Sequence, residues 1–389
     1  MYGGYLPLII RSVREGTPVH GGIPLYSVTV LDEDLYWMSS GIEMSKLRSI
    51  WYPTTIATFD REIKQEIKRY FEISGADMGL IPFALHDFGG RGVTCGEQAE
   101  IGGAAHLVNF MGSDTVEGVL AANFFYRHPM AAFSVFATEH SVECSFGLDK
   151  EGEIAYLNQQ LEMAMPGTII SIVIDGKDTF RCAEALCTGE LRDLIIAAGK
   201  TGAKIVFRPD SGDMLETIPR ILQLQETAFG SVKNAKGFRK INCVGIIQGD
   251  GIDRQGMAIK SVYGKILSMG FSADNVIFGS GGGLLQGVTR DSLKFAQKAS
   301  AILVEETADD GSVSQRWIGI AKDPITDPGK KSKEGVMTAI RSKMTGEVMP
   351  GRLDQFTLNE EFEDIHVLTY HTGTLYNETV LDEVRERAE

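Results

Sequence analysis

Seven short apolar runs between Phe83 and Gly283 each stop at residue types that bind phosphate or move charge. The endings are His86-Asp87-Phe88, Gly112-Ser113-Asp114, Glu139-His140, Asp175-Gly176, Arg208-Pro209-Asp210-Ser211-Gly212, Gln248-Gly249-Asp250-Gly251 and Gly279-Ser280-Gly281-Gly282-Gly283. Successive backbone N–H groups without side chains, as in the last of these, form an anion cradle; a tight turn with positive φ is the plain alternative. The run is neither a P-loop, having no Gly-Lys-Ser/Thr, nor a dinucleotide fingerprint, because Leu284 stands where the third glycine is required. Arg290 and Lys298 lie downstream and can supply countercharge. Arg208 and Asp210, two apart, share one face of a strand end. The carboxylate suits a sugar diol or a metal-bound water and the guanidinium an aromatic ring or an anion, unless the pair only ties down its loop. His140 can act as acid, base or nucleophile toward a phosphoryl group. A lone histidine is as readily structural, and no HExxH pattern points to zinc. Asp114, Asp175 and Asp250 could each cap a helix. Together with Asp210 they exceed what capping asks and fit a Mg²⁺-assisted sugar-phosphate reaction.

The rungs are 26 to 40 residues apart, enough for one strand, one helix and two loops each. Ile169 to Ile174, Ile205 to Phe207, Val244 to Ile247, Val276 to Phe278 and Ala301 to Val304 read as strands buried on both faces. Between them, Leu191, Leu194, Ile195 and Ala198, then Ile259, Val262, Tyr263, Ile266 and Leu267, keep helical spacing and are followed by Gly199 and Gly270. Alternation of strand and helix implies a parallel sheet, whose strand ends converge on one face; in a closed barrel that face is the active site. Leu6 to Val13 and Pro24 to Val30 read as accessory strands, Thr58 to Ser74 as a helix with a solvated face, and Leu284 to Lys298 as a further helix. Phe124-Phe125-Tyr126 reads as core packing, and Lys330 to Lys333 as a solvated loop. The expected organisation is an accessory part at 1–80, an α/β core at 81–336, and a return to the accessory domain at 337–389.

The 389-residue chain is 43% hydrophobic and carries a net charge of −14, which argues against general nucleic-acid or anionic-membrane binding. A phosphate-bearing small molecule needs only a local basic pocket. The five cysteines show no CxxC spacing and read as reduced, buried thiols of a cytosol. The apolar run from Ala121 to Ala137 is broken by Arg127 and His128, and the first residues carry no basic leader, so a cytoplasmic protein is expected.

The segments HDFGGRGV (86–93), HLVNFMGSDT (106–115), EHS (139–141), IVFRPDSG (205–212), IQGDGID (247–253), FGSGGGLLQ (278–286), TRD (289–291) and KDPITDPGKKSKEG (322–335) closely resemble the nicotinamide phosphoribosyltransferases, a type II phosphoribosyltransferase family. Order and combination carry the resemblance, over nearly the whole chain. It implies a TIM-like α/β barrel with a smaller α+β accessory domain built from both chain ends, acting as a homodimer with sites at the subunit interface. The implied reaction joins nicotinamide to 5-phosphoribosyl 1-pyrophosphate with Mg²⁺, coupled to ATP hydrolysis through a phosphohistidine at His140. By the same resemblance Phe88 stacks on the pyridine ring with Arg208 near its other side, Asp114 accepts from the carboxamide, and Ser171 lies close. Asp210, Gly249 and Asp250 would hold the ribose; Gly281, Gly282, Arg290 and Lys298 the 5-phosphate; Arg91 and His140 the pyrophosphate. From their residue types, Asp175 and Asp210 are the candidate metal ligands, directly or through water, and with His140 the candidate catalytic residues. The family carries an N-terminal segment before the part matching Leu6, whose aromatic residue closes the far side of the ring site. Gly90 replaces an aromatic of the family motif, and Ala296 a hydroxyl. The competing expectations are a weakly active or non-catalytic subunit of this family, a nicotinate-using relative, and a flavin or aldolase barrel. A flavin would colour the protein yellow, and no lysine ends a ladder run to form a Schiff base.

Overall fold

The computed structural model describes residues 2–327, 330–355 and 359–389; Pro328 and Gly329 of the segment 322–335 lie outside them. The chain divides into two compact units, Pro53–Thr289 and a second made of Met1–Tyr52 with Arg290–Glu389.

The first unit is built on seven parallel strands: β1 (Leu85–Asp87), β2 (Gly112–Ser113), β3 (Phe136–Ala137), β4 (Ile169–Val173), β5 (Lys204–Arg208), β6 (Val244–Gln248) and β7 (Val276–Ser280). They are hydrogen-bonded in the order β2-β1-β7-β6-β5-β4-β3. The two edges meet through one segment. Phe133 bridges Gly112 in parallel, with its N–H on the Met111 carbonyl at 2.8 Å, while Phe136 and Ala137 pair with Ile170 and Ser171. Around the closed ring each strand neighbours the next in sequence, the arrangement of a singly wound α/β barrel with seven strands.

The helices that separate the strands include α1 (Glu43–Ser74), α2 (Gly96–His106), α3 (Val116–Tyr126), α4 (His140–Ser145), α5 (Lys150–Glu162), α6 (Thr179–Leu186), α7 (Gly189–Lys200), α8 (Met214–Phe229) and α9 (Met257–Ser268). Their apolar stripes close one core. Ile63, Ile67 and Phe71 of α1, Tyr156 and Leu157 of α5, and Ile259, Val262, Tyr263 and Ile266 of α9 pack with Ile170, Ile172, Ile205, Phe207, Ile246 and Phe278. Burial of α1 in this core is why the barrel unit begins at Pro53 and not at residue 81. None of the described helices is long and apolar enough to cross a membrane.

In the second unit Leu8–Val13 pairs antiparallel with both Tyr26–Val30 and His366–His371, so the two chain ends share a sheet, as expected of the accessory domain. The structure also corrects several local expectations. Ala301–Thr307 is not a buried barrel strand but half of an exposed antiparallel hairpin with Val313–Gly319, which is why this unit resumes at Arg290 and not at residue 337. The helix after the glycine run, α10, covers only Gly282–Leu285, because Gly287 leaves it and the segment that follows is turns and coil to residue 300. Phe124 and Phe125 are not core residues; they are 80% and 60% exposed, since α3 turns Gly118, Ala121 and Ala122 inward against α2. Cys95 and Cys144 are exposed rather than buried, and all five thiols are free.

Phe71 is fully buried among α9 and barrel side chains. Phe71→Ala is expected to cost about 3–5 kcal/mol, through lost transfer energy and the cavity left behind. Urea denaturation checks this, and a loss below 1 kcal/mol would show that α1 contributes little to the core.

Candidate active site

All seven rungs fall at the carboxyl ends of the seven barrel strands, on one rim. The bland reading of the aspartates fails there. The side chains that cap the following helices are Asp178 for α6 and Asp213 for α8, while Thr115 and Gly256 occupy the cap positions of α3 and α9. Asp114, Asp175, Asp210 and Asp250 are therefore spared for other work. Glu139, in contrast, is the cap of α4 and accepts from the Ser141 N–H at 2.8 Å.

At the rim of β1, β2 and β7, Phe88 donates its N–H to the Ser280 carbonyl at 2.9 Å, and its ring lies over Gly279. A Cβ at Gly279 would come within 2.1 Å of that ring, so the flat face depends on the absent side chain. Asp114 stands on the neighbouring strand end. Its Oδ1 accepts from His86 Nε2 at 3.0 Å and from Ser134 Oγ at 2.6 Å, while its N–H is held by the Asp87 carbonyl. Partial burial works to raise the Asp114 carboxyl, but the bonds from His86 and Ser134 and the charge of Arg208 outweigh it and hold the group below the usual carboxylate range. Both bonds fall on Oδ1, which leaves Oδ2 open to a ligand donor.

Arg208, at the end of β5, donates from its Nη2 to the Thr138 carbonyl at 2.5 Å, and its Nε lies 4.0 Å from Asp210 Oδ1, an ion pair too long for a hydrogen bond. Buried Nε and Oδ1 are both without hydrogen-bond partners, and so is the Oγ of Ser171, 2% exposed. Three buried polar atoms without partners at neighbouring strand ends suit this rim to a polar ligand. Gly249 lets the Asp210 carboxylate sit against the β6 backbone, where a Cβ would stand 1.6 Å from Oδ1. Burial and the neighbouring Asp175 and Asp250 raise the Asp210 carboxyl despite Arg208 and His140. Asp250 is exposed, and its Oδ1 lies near the Gly281 backbone.

His140, the first residue of α4, bonds through Nε2 to Asp175 Oδ1 at 2.9 Å. Asp175 Oδ2 accepts from the Asp210 N–H at 3.2 Å and the Ser211 hydroxyl at 2.6 Å. Both Asp175 oxygens are thus engaged within the protein. Among the described residues no group of three His, Cys, Asp or Glu side chains is disposed to hold a metal. The orphaned Asp210 Oδ1 fits a hard cation that takes one protein oxygen and completes its shell with phosphates and water.

Arg91 is exposed on the turn Gly90–Gly92 beside these groups in sequence. Arg290 and Lys298 belong to the second unit, where Arg290 pairs with Asp291 at 2.7 Å and Lys298 is exposed. Residue types alone did not single out Ser134, Thr138 or Glu143, and gave His86 no role beyond its place at a strand end. His86 stood inside a quoted motif two residues from Phe88, and strand alternation was the signal that could have placed it beside Asp114. Ser134 reaches Asp114 from a different strand segment, which no local pattern announces.

Residues 83–366 match the nicotinate phosphoribosyltransferase (NAPRTase) family. The chain belongs to that family. It is 40% identical over its full length, and over 80% of the relative, to a nicotinamide phosphoribosyltransferase of Xanthomonas campestris pv. campestris. It is 30% identical to those of Acinetobacter baylyi, over 99% of this chain and 76% of the relative, and Mycoplasma pneumoniae, over 85% and 71%. A crystal structure of human nicotinic acid phosphoribosyltransferase superposes with a TM-score of 0.48 at 18% identity, covering 98% of this chain and 76% of the human one. This family member is a phosphoribosyltransferase, an enzyme of the pentosyltransferase class.

Glu143 of this phosphoribosyltransferase is 1% exposed, and burial raises its carboxyl to about 7 from 4.5. The folded chain keeps a proton there that the unfolded chain has already released. The associated stability is present below about pH 4.5, is lost as pH rises through about 7, and amounts to about 3 kcal/mol. Glu143→Gln is expected to flatten the fall in urea midpoint over that window, and an unchanged slope would contradict the assignment.

Proposed function

We propose that this enzyme joins nicotinamide to 5-phosphoribosyl 1-pyrophosphate, forming nicotinamide mononucleotide and pyrophosphate, a step of NAD biosynthesis. The observation that carries the reading is the ionised Asp114 beside the Phe88 face, with Oδ2 open. A carboxylate accepts from an amide NH₂ and repels a nicotinate carboxylate. The names of the relatives point the same way.

In this reading the pyridine ring lies on Phe88, with Arg208 near its other side, and Ser171 Oγ offers a further polar contact to the carboxamide. Asp210, Gly249 and Asp250 take the ribose hydroxyls. The N–H groups of Gly281 and Gly282 take the 5-phosphate, and Arg91 and His140 face the pyrophosphate. Positive charge develops on the anomeric carbon as pyrophosphate leaves; Asp210 and Asp250 stabilise it, and Arg91 stabilises the departing anion. Mg²⁺, when bound through Asp210, with Asp175 within reach by way of a water, would neutralise charge on the pyrophosphate. With Nε2 held by Asp175, His140 presents Nδ1 as the nitrogen open to a phosphoryl group from ATP. The exposed stripe of Val116, Leu120 and Phe124 on α3, continued by Phe125, Met130 and Phe136, supports a homodimer through this side of the barrel.

Nicotinamide mononucleotide is expected from nicotinamide, phosphoribosyl pyrophosphate and Mg²⁺, with Asp114→Asn narrowing the preference over nicotinate by about tenfold or more. No product at high enzyme concentration, or equal use of nicotinate by the unmodified protein, would defeat the reading. His140→Ala should remove ATP stimulation while the rate without ATP falls less. Mass spectrometry after incubation with ATP checks the acceptor, and phosphorylation retained in the variant would reject His140.

A further inference from the structure

Glu143 is a buried carboxylate outside the roles given above, one turn beyond His140 on α4, so both side chains lie on one face of the helix. Both meet the same turn. His140 Nε2 bonds Asp175 Oδ1 at 2.9 Å, and Glu143 Oε2 accepts from the Gly176 N–H at 3.0 Å. The fit is close, because a Cβ at Gly176 would lie 2.6 Å from the Glu143 carboxyl carbon.

Of the side chains that act on Glu143, His140 favours its ionised form, while burial and the neighbouring Asp175 and Glu153 oppose it. Nearby, Arg181 is committed to Glu153, Tyr156 donates to Thr138 and the Val173 carbonyl, and Cys182 is a buried thiol. Glu143 Oε1 has no hydrogen-bond partner. An apolar side chain would fill this space without the cost of desolvating a carboxylate. The feature that requires an acceptor there is the Gly176 amide.

We propose that Glu143 is a positioning residue for His140: by gripping the Gly176 amide it fixes the turn that carries Asp175, and Asp175 then orients the His140 ring. The turn is pinned on its other side by the Asp210 N–H and Ser211 hydroxyl, so the clasp also ties His140 to the ribose end of the site. The proposal rests on the reading of His140 as the phosphoryl acceptor, and the test separates the two.

Glu143→Met keeps the volume and removes the acceptor; Glu143→Gln keeps an acceptor and removes the titrating group. Two signals are read on the full chain: the ¹⁵N resonance of His140 Nε2 without ligands, assigned by its loss in His140→Gln, and the rate of phosphoenzyme formation with ATP. Glu143→Met should shift the resonance and slow phosphorylation about tenfold, and Glu143→Gln should restore both to within about twofold. Gly176→Ala, which crowds the clasp from the other side, should reproduce the Met variant and serves if that variant does not fold. A wild-type His140 resonance in Glu143→Met, or no rescue by Gln, would overturn the proposal. A protein that forms no phosphoenzyme but shows the resonance shift would retain the clasp and lose the phosphohistidine reading.

Discussion

Closure of the parallel sheet through one short segment is the constraint on which the site depends. Phe133 bonds to one edge strand, β2, and Phe136-Ala137 are the other, β3, paired to β4, so one short segment joins the two edges of a sheet that would otherwise end in unpaired groups. The same segment delivers Ser134 to Asp114 and leads into Thr138, whose carbonyl holds Arg208. Sheet closure and site assembly are therefore one event. With an open sheet, β2 and β3 would lie at opposite ends, and the groups attributed to the base and to phosphoryl transfer would not share a rim.

Within that rim, close approaches set the shape. Gly279 admits the Phe88 ring, Gly249 the Asp210 carboxylate and Gly176 the Glu143 carboxyl, and in each case a Cβ would overlap the neighbour. These glycines create room for a side chain from elsewhere in sequence. That differs from the anion-cradle reading, which concerned exposed N–H groups and applies to Gly281 and Gly282 alone. The rim also carries buried polar atoms without partners at Ser171, Arg208 and Asp210. Their grouping at the ends of two neighbouring strands sets this rim apart from an ordinary barrel edge.

Much of the architecture was legible because each barrel strand carries its own signal. The Ile and Val runs ended at glycine and charge, and the helices between them kept their stripes, as with Ile259, Val262, Tyr263 and Ile266. Legibility failed where a local pattern has two tertiary outcomes. Ala301 to Val304 is as apolar as a barrel strand, yet it pairs in an exposed hairpin with Val313–Gly319. Phe124 and Phe125 have the composition of a core pair, yet the glycine and alanine face of α3 packs inward instead. Helix α1 was expected to begin at Thr58, but it begins at Glu43 and contributes Ile63, Ile67 and Phe71 to the barrel.

By itself, the sequence determined the residue types at each strand end, their order, and through the resemblance their likeness to a phosphoribosyltransferase. Periodicity and glycine placement are local properties, so one chain segment suffices to show them. Tertiary structure alone decided which rungs touch: that His86 and Ser134 grip Asp114, that Asp175 spends both oxygens on His140 and the Asp210 loop, and that Glu143 meets Gly176. Those contacts join residues 20 to 36 positions apart across neighbouring strands. Barrel curvature and the register of closure set their distances, and neither is encoded in any single segment.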